Sequence, residues 1–187
     1  MESSPVSKIT EEQYLAIERA AEFKSEFLDG VMYAMSGGSL RHSALHRNLI
    51  SKLDALLGRG ECQVFTSELR VRVSNRMYAY PDVSVVRGEH LVADEQNDNL
   101  LNPIAIFEVL SPSTDRGLKF QLYRAMESLR EYVLVDQHAI RVEQYTREDS
   151  STWTFRDLVG PDKELKLDSI AVSLPLRLIY DGVDLDS

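Results

Sequence analysis

Residues 104–110 read IAIFEVL, an apolar run suited to a strand buried on both faces and interrupted by a single charge, Glu108. The polar turn SPSTDRG follows, and Leu118, Leu122 and Met126 then recur at four-residue spacing, which predicts a helix beginning near Gly117 with Leu118 and Leu122 placed for core contact. The segment EYVLVD at 131–136 reads as a further strand. Strand, turn, helix and strand in that order make a crossover unit, so the expected class is α/β (α+β), a mixed sheet with helices packed against it. A carboxylate inside such a strand costs on the order of several kcal/mol unless it is paired, hydrogen-bonded or bound to a metal. Glu108 is therefore the residue to explain.

The rest of the chain supplies elements for that sheet. Thr10 stands three residues before Gln13, the spacing of a capping box, and opens a short first helix. FKSEFLDGVMYAMSGG reads as a hairpin turning at Asp29-Gly30 and leaving through Gly37-Gly38. Leu45, Leu49, Leu53 and Leu56 mark an amphipathic helix from about Ser39 to Leu57, ending near Gly58 or Gly60. ECQVFTSELRVRV and MYAYPDVSVVRG read as two strands joined by a turn at Asn75-Arg76, the second with an internal proline. Residues 88–102 are acidic and rich in Asn, as in a surface loop or a short excursion. IRVEQYTR and TWTFRDLV form another antiparallel hairpin around 148–151, with Trp153 packing in it, and VSLPLRLIYDG carries apolar residues onto the core.

At 187 residues the expectation is one domain over 1–187, its first few residues frayed. No apolar run approaches the roughly 18 residues that span a bilayer and no signal-like segment opens the chain, so a cytoplasmic protein with no membrane partner is expected. Cys62 is the only cysteine, which excludes an intramolecular disulfide and a cysteine-based zinc site and suggests a small buried hydrophobe. The net charge of −9 argues against a constitutive nucleic-acid coat but leaves room for a local or metal-dependent site.

Strand residues two apart share a face, so Glu108 points with Ile104, Ile106 and Leu110, and Asp82 with Tyr80 and Ser84. If their strands are neighbours in register, the two carboxylates converge at one end of the sheet, and hard cations such as Mg²⁺ or Mn²⁺ use such oxygens. The simpler alternatives are an arginine partner for Glu108 and a turn bond for Asp82. Lys119 lies early in the predicted helix with Tyr123 one turn on; it either reaches the site over the polar turn or is a surface lysine. Ser111 and Ser113 orient the loop and bind a phosphate oxygen, or simply build a turn. His42 and His46 are spaced i,i+4 without the glutamate of a zinc-protease motif. Arg70, Arg72 and Arg76 form a positive rim or face solvent.

The blocks SEFLDGVMYAMSGGSLRHSALHRNL, YAYPDVSVV and NPIAIFEVLSPSTDRGLKFQLYRAMESLREYVLVD resemble a family of small putative restriction endonucleases, abundant in cyanobacteria, within the PD-(D/E)XK nuclease-like superfamily. The resemblance runs from about Glu11 to Tyr180. It implies a restriction-endonuclease-like core and metal-dependent phosphodiester hydrolysis. Pro81-Asp82 matches the Pro-Asp element and Glu108 the acid of the second element, while Leu110 stands where the superfamily has lysine. Lys119 would supply the displaced ammonium from the helix. Glu26 matches the family's early glutamate, as a further ligand or a support, and His42 matches a recurring histidine at a phosphate or the site entrance, unless each is a surface group.

The reading that follows is a Mg²⁺- or Mn²⁺-dependent DNA endonuclease, with Asp82 and Glu108 as ligands, Lys119 at the reacting phosphate, and Glu26, His42, Ser111, Ser113 and Tyr123 in support. The superfamily also suggests a homodimer, since two sites serve two strands. The acidic balance, Leu110 and the lack of a recognisable DNA-reading module leave two rivals. One is a noncatalytic nucleic-acid-binding or protein-interaction domain with the same fold; the other is a metal-stabilised structural protein.

Overall fold

The Thr10 hydroxyl accepts from the Gln13 amide while the Gln13 side chain accepts from the Thr10 amide, and this capping box starts α1 (Glu11–Ala20). The computed structural model describes residues 8–110 and 116–185; the N-terminal residues read as frayed, and Ser111 and Ser113, lie outside them. The hairpin β1 (Ser25–Leu28) and β2 (Val31–Ala34) turns at Asp29 (φ +50°) and Gly30 (φ +88°), the pair of positive φ angles that a two-residue type I′ turn requires. Ser39 caps α2 (Leu40–Leu57) by accepting from the His42 amide, and the helix stops at Gly58 (φ +57°).

The next stretch departs from the two strands expected. Four short ones form instead: β3 (Cys62–Thr66), β4 (Arg70–Ser74), β5 (Met77–Ala79) and β6 (Val83–Arg87). Pro81 has no N–H to give a ladder, and the chain passes there from one sheet to the other. The acidic segment read as a loop contains β7 (Asn99–Leu100), buried and parallel to β4. β8 (Ala105–Val109), α3 (Arg116–Tyr123) and β9 (Glu131–Val135) make the expected crossover, with β8 and β9 parallel. β10 (Arg141–Arg147) and β11 (Trp153–Val159) form the second hairpin. β12 (Glu164–Leu167), β13 (Val172–Pro175) and α4 (Leu176–Ile179) follow.

Two sheets carry the architecture. The larger has the order β11-β10-β9-β8-β6-β3 and is mixed; the smaller has the order β2-β1-β5-β4-β7. One face of the large sheet presents Val83, Val85, Phe107, Val109, Val133 and Val135 to Leu45, Leu49 and Leu53 of α2 and to the C-terminal Leu174, Leu176 and Ile179. Full burial of each such side chain contributes about 1.5–3 kcal/mol, which makes this layer the main anchor of α2. The other face presents Ile106, Leu110, Tyr132 and Leu134 to Tyr123 of α3 and to Val71, Met77 and Ala79 of the small sheet. Glu108 alternates with Ile106 and Leu110 and so faces this second layer. Ile104 does not share that face: it precedes β8 and packs with the first layer.

Three smaller expectations are corrected. Leu118 is 39% exposed, so the buried member of α3 is Tyr123. Cys62 is only half-buried. The three arginines form no rim: Arg70 of β4 is buried against Asp98 and Asn99, Arg72 of β4 pairs with Glu11, and Arg76, in the turn after β4, pairs with Asp29. Among the described residues no helix is long and apolar enough to cross a membrane.

Candidate active site

Where β6 begins after Pro81, the ladder beside β8 ends at the Val83–Phe107 pair, leaving the Val109 amide, two residues on, without a strand partner on that side. Asp82 fills the gap: its Oδ2 accepts from the Val109 N–H at 2.7 Å. Its other oxygen, Oδ1, lies 3.3 Å from Nε2 of His42 on α2. His46, one turn further along α2, donates from Nε2 to the Asp82 carbonyl oxygen at 2.7 Å, since a carbonyl can only accept. The Asp82 carboxylate and carbonyl are thus fixed, by β8 through Val109 and by α2 through His42 and His46.

Glu108 approaches from the second layer. Residues 83 and 107, and 84 and 106, are directly opposed in the antiparallel register, so Glu108 falls beside the start of β6 next to Asp82. The Tyr123 hydroxyl donates to Glu108 Oε1 at 3.0 Å, and Lys119 Nζ lies 3.3 Å from the same oxygen. Lys119 also donates to Glu26 Oε1 at 3.1 Å, and the Tyr80 amide points to that same Glu26 oxygen at 3.4 Å. β1, the Pro81 junction, β8 and α3 therefore each bring one chemically active group to one place.

That place is an open cleft of about 740 Å³ between the two sheets and the start of α2. Glu26, His42, Asp82, Glu108 and Lys119 line it. Its other wall is apolar, with Tyr33, Met35, Met77 and Leu118. Five of the side chains singled out in the sequence are thus brought together, and Tyr123 supports them from behind; Ser111 and Ser113 fall outside the described residues.

The charges in the cleft are unevenly matched. Burial drives the Glu108 carboxyl above the ordinary range; Lys119 opposes this, while Asp82 and Glu26 add to it. Burial works to lower Lys119, yet Glu108 and Glu26 outweigh it and its ammonium is held well above the usual lysine value. The asymmetry is one of numbers: a single ammonium serves two carboxylates and faces a third. His42 is raised by its bond to Asp82 despite partial burial. Buried Tyr123 is also raised, by burial first and then by Glu108, so its phenol stays a donor.

Three contributors escaped the sequence reading. His46 shows as a lone polar position on a leucine-rich helix, but nothing in its spacing names a backbone carbonyl as its partner. The apolar wall around Tyr33 and Met35 follows from the small sheet's position. The closeness of Gly38 to His42 is the one with a local signal, a Gly-Gly pair just before a helix cap: a Cβ at 38 would sit 2.8 Å from the His42 Nδ1.

The chain matches the Uma2 family, described as "Putative restriction endonuclease", over residues 11–177, and it belongs to that family. An uncharacterized protein of Synechocystis sp., slr1290, is 34% identical over 186 residues, covering 97% of this chain and 96% of its own length. A second from the same organism, sll1609, is 35% identical over 162 residues, covering 84% and 92%. The fold is shared with the crystal structure of a putative nuclease of the DUF820 group from Anabaena variabilis, at a TM-score of 0.76 and 19% identity over 94% of this chain and 99% of that one.

Proposed function

We propose that this member of the Uma2 family is a divalent-metal-dependent DNA endonuclease hydrolysing phosphodiester bonds. The observation that carries the reading is the meeting of Asp82, Glu108 and Lys119 in one cleft, from three separate elements. The donor set fits Mg²⁺ or Mn²⁺. It offers carboxylate oxygens, it holds more carboxylates than Lys119 can neutralise, and Glu108 is buried where added positive charge relieves its desolvation. Among the described residues no three His, Cys, Asp or Glu side chains converge to enclose a metal. Asp82 and Glu108 would hold an ion on one side and leave the other to substrate, the arrangement Mg²⁺ commonly adopts with phosphates.

Such an ion would supply Lewis-acid charge at a phosphate oxygen and lower the pKa of a water. The chain's own groups do the rest. Val109 N–H and His42 aim the Asp82 carboxylate into the cleft. Glu26 shares the Lys119 ammonium with Glu108, holding it ready to donate to charge that develops on the phosphate. Tyr123 keeps Glu108 Oε1 oriented. Cutting both strands of a duplex calls for two such sites, so a homodimer is part of the proposal.

The test is a panel of plasmid, duplex and single-stranded DNA incubated with Mg²⁺, Mn²⁺ or chelator, for the wild type and Asp82→Ala. Cleavage by the wild type that needs metal and is lost in the variant is expected. Folded wild type that binds DNA but never cleaves it would instead favour the noncatalytic reading, for which Leu110, buried in the core where the superfamily has lysine, is the specific observation.

A further inference from the structure

The other end of α3 carries a second charged feature, and it has the opposite sign. A hollow of about 520 Å³ is lined by Arg124, Arg130 and Arg147, with Glu127, Asp149 and Ser150. Arg147, at the end of β10, is built into the fold. Its Nη2 donates to the Arg124 and Met126 carbonyl oxygens, and its guanidinium stacks 4.7 Å from the Trp153 ring. Its buried Nε–H has no partner among the described residues. Arg130 commits only Nη1, to the carbonyl oxygens of Glu127 and Leu129. Arg124 is exposed, and its guanidinium makes no hydrogen bond or ion pair with any described residue.

No described carboxylate closes an ion pair with any of the three arginines. Asp149 spends an oxygen on the Ser151 and Thr152 amides and the Ser151 hydroxyl, a turn of its own. Glu127 is the other acid nearby and is exposed. The three cations repel one another: burial lowers the Arg147 guanidinium, Arg130 and Arg124 lower it further, and Glu127 offsets them in part. In a chain of net charge −9, three arginines against two carboxylates, none in an ion pair with them, make a hollow where an oxyanion is favoured.

We propose that this hollow binds a backbone phosphate of the nucleic-acid strand whose scissile bond lies in the cleft. The inference rests on the nuclease reading for the identity of the strand and on the arginines for the phosphate bond. α3 and the residue that follows it lie between the two places. Leu118 lines the cleft and Arg124, one residue past the end of α3, lines the hollow; six residues set them about 9 Å apart along the helix axis and about 120° apart around it. A strand leaving the cleft and passing around the end of α3 would reach the arginines within a few nucleotides.

The experiment measures fluorescence anisotropy of a labelled oligonucleotide against salt, in chelator so that no cleavage occurs, for the wild type, Arg124→Ala and the pair Arg124→Ala/Arg130→Ala. The Arg124 guanidinium bonds to no described residue, so its variant keeps the test valid even if the double variant melts early. Removing one arginine–phosphate pair should lower the slope of log affinity against log salt by about 0.7–0.9 and weaken binding several-fold. Unchanged slope and affinity in Arg124→Ala would overturn the proposal. So would inorganic phosphate competing as well as an equal concentration of oligonucleotide phosphate, since the hollow would then be a small-anion site. Cleavage by the wild type is scored separately in Mn²⁺: arginine-dependent binding without any cleavage sinks the nuclease reading and leaves the phosphate site standing.

Discussion

The Lys119 ammonium, on α3, stands 3.3 Å from Oε1 of Glu108 on β8, eleven residues earlier in the chain. The superfamily's lysine would sit two residues after the acid, on the same strand face; here Leu110 holds that position and packs in the second layer. From α3, Lys119 reaches Glu108 and Glu26 together.

Removing that ammonium should be costly. Lys119→Met leaves buried Glu108 without its cation, and loss of one partner from such a pair costs about 3 kcal/mol. The Glu108 carboxyl should rise further, since Lys119 is what lowers it. Urea unfolding of Lys119→Met, Glu108→Gln and the double variant forms a double-mutant cycle; the double variant should be more stable than Lys119→Met alone. Additive losses would show that the two groups are not coupled.

A second buried acid gives the protein a pH dependence far from the cleft. Glu131, at the start of β9, is raised to about 6 mainly by burial, with the Ser169 hydroxyl opposing, and its Oε1 lacks a partner among the described residues. A folded value above the unfolded one means that the native state holds its proton longer. This contribution to stability is complete below the unfolded value near 4.5 and is lost as pH rises through 6, amounting to about 2 kcal/mol. Glu131→Gln should therefore be more stable than the wild type at pH 8, with the gap closing at acid pH. Chemical denaturation at the two pH values reads the difference, and a gap that stays constant would contradict it.

Gly38 controls the position of His42. An alanine there would place Cβ 2.8 Å from the ring's Nδ1 and 3.0 Å from Cγ, so the imidazole must turn away from Asp82. Because Gly38 is exposed, stability should move by less than about 0.5 kcal/mol while cleavage falls. Gly37→Ala meets open space and should cost less activity. Equal cleavage by Gly38→Ala and the wild type would remove His42 from the aiming of Asp82.

Arg70 is a structural cation. Its Nε donates to Asn99 and its Nη2 pairs with Asp98 at 2.8 Å, in a pocket closed by Tyr14, Tyr78 and Tyr80. Arg70→Met should destabilise the fold by about 2–3 kcal/mol through the stranded polar partners. The salt dependence of oligonucleotide binding should not change, which separates Arg70 from the arginines of the hollow.

Local chemistry explains which parts of this arrangement the sequence revealed. The capping box at Thr10, the Asp29-Gly30 turn, Leu45, Leu49 and Leu53 of α2 and the crossover around Glu108 are decided by neighbours within a few residues, and each stands in the structure where the pattern put it; Leu56, the last of the leucine repeat, is exposed instead. Arg70 was misread because its partners lie 28 and 29 residues away, at Asp98 and in β7, a strand too short to show a period. The split of the Pro81 strand was half legible: proline announces a break, but not that the chain changes sheets there. Lys119 and Glu26 meet across 93 residues, and only the resemblance to known nucleases suggested that they belong together.

The most direct measurement of the central claim is single-turnover cleavage of DNA in Mn²⁺ by the wild type and Glu108→Gln, purified identically and both shown to be folded by their melting curves. Glutamine keeps the shape and the Tyr123 bond but removes the charge that would hold the ion. Cleavage by the wild type, with Glu108→Gln reduced to the level seen in chelator, is the result expected. Glu108→Gln cutting at the wild-type rate would place the chemistry elsewhere and contradict the account.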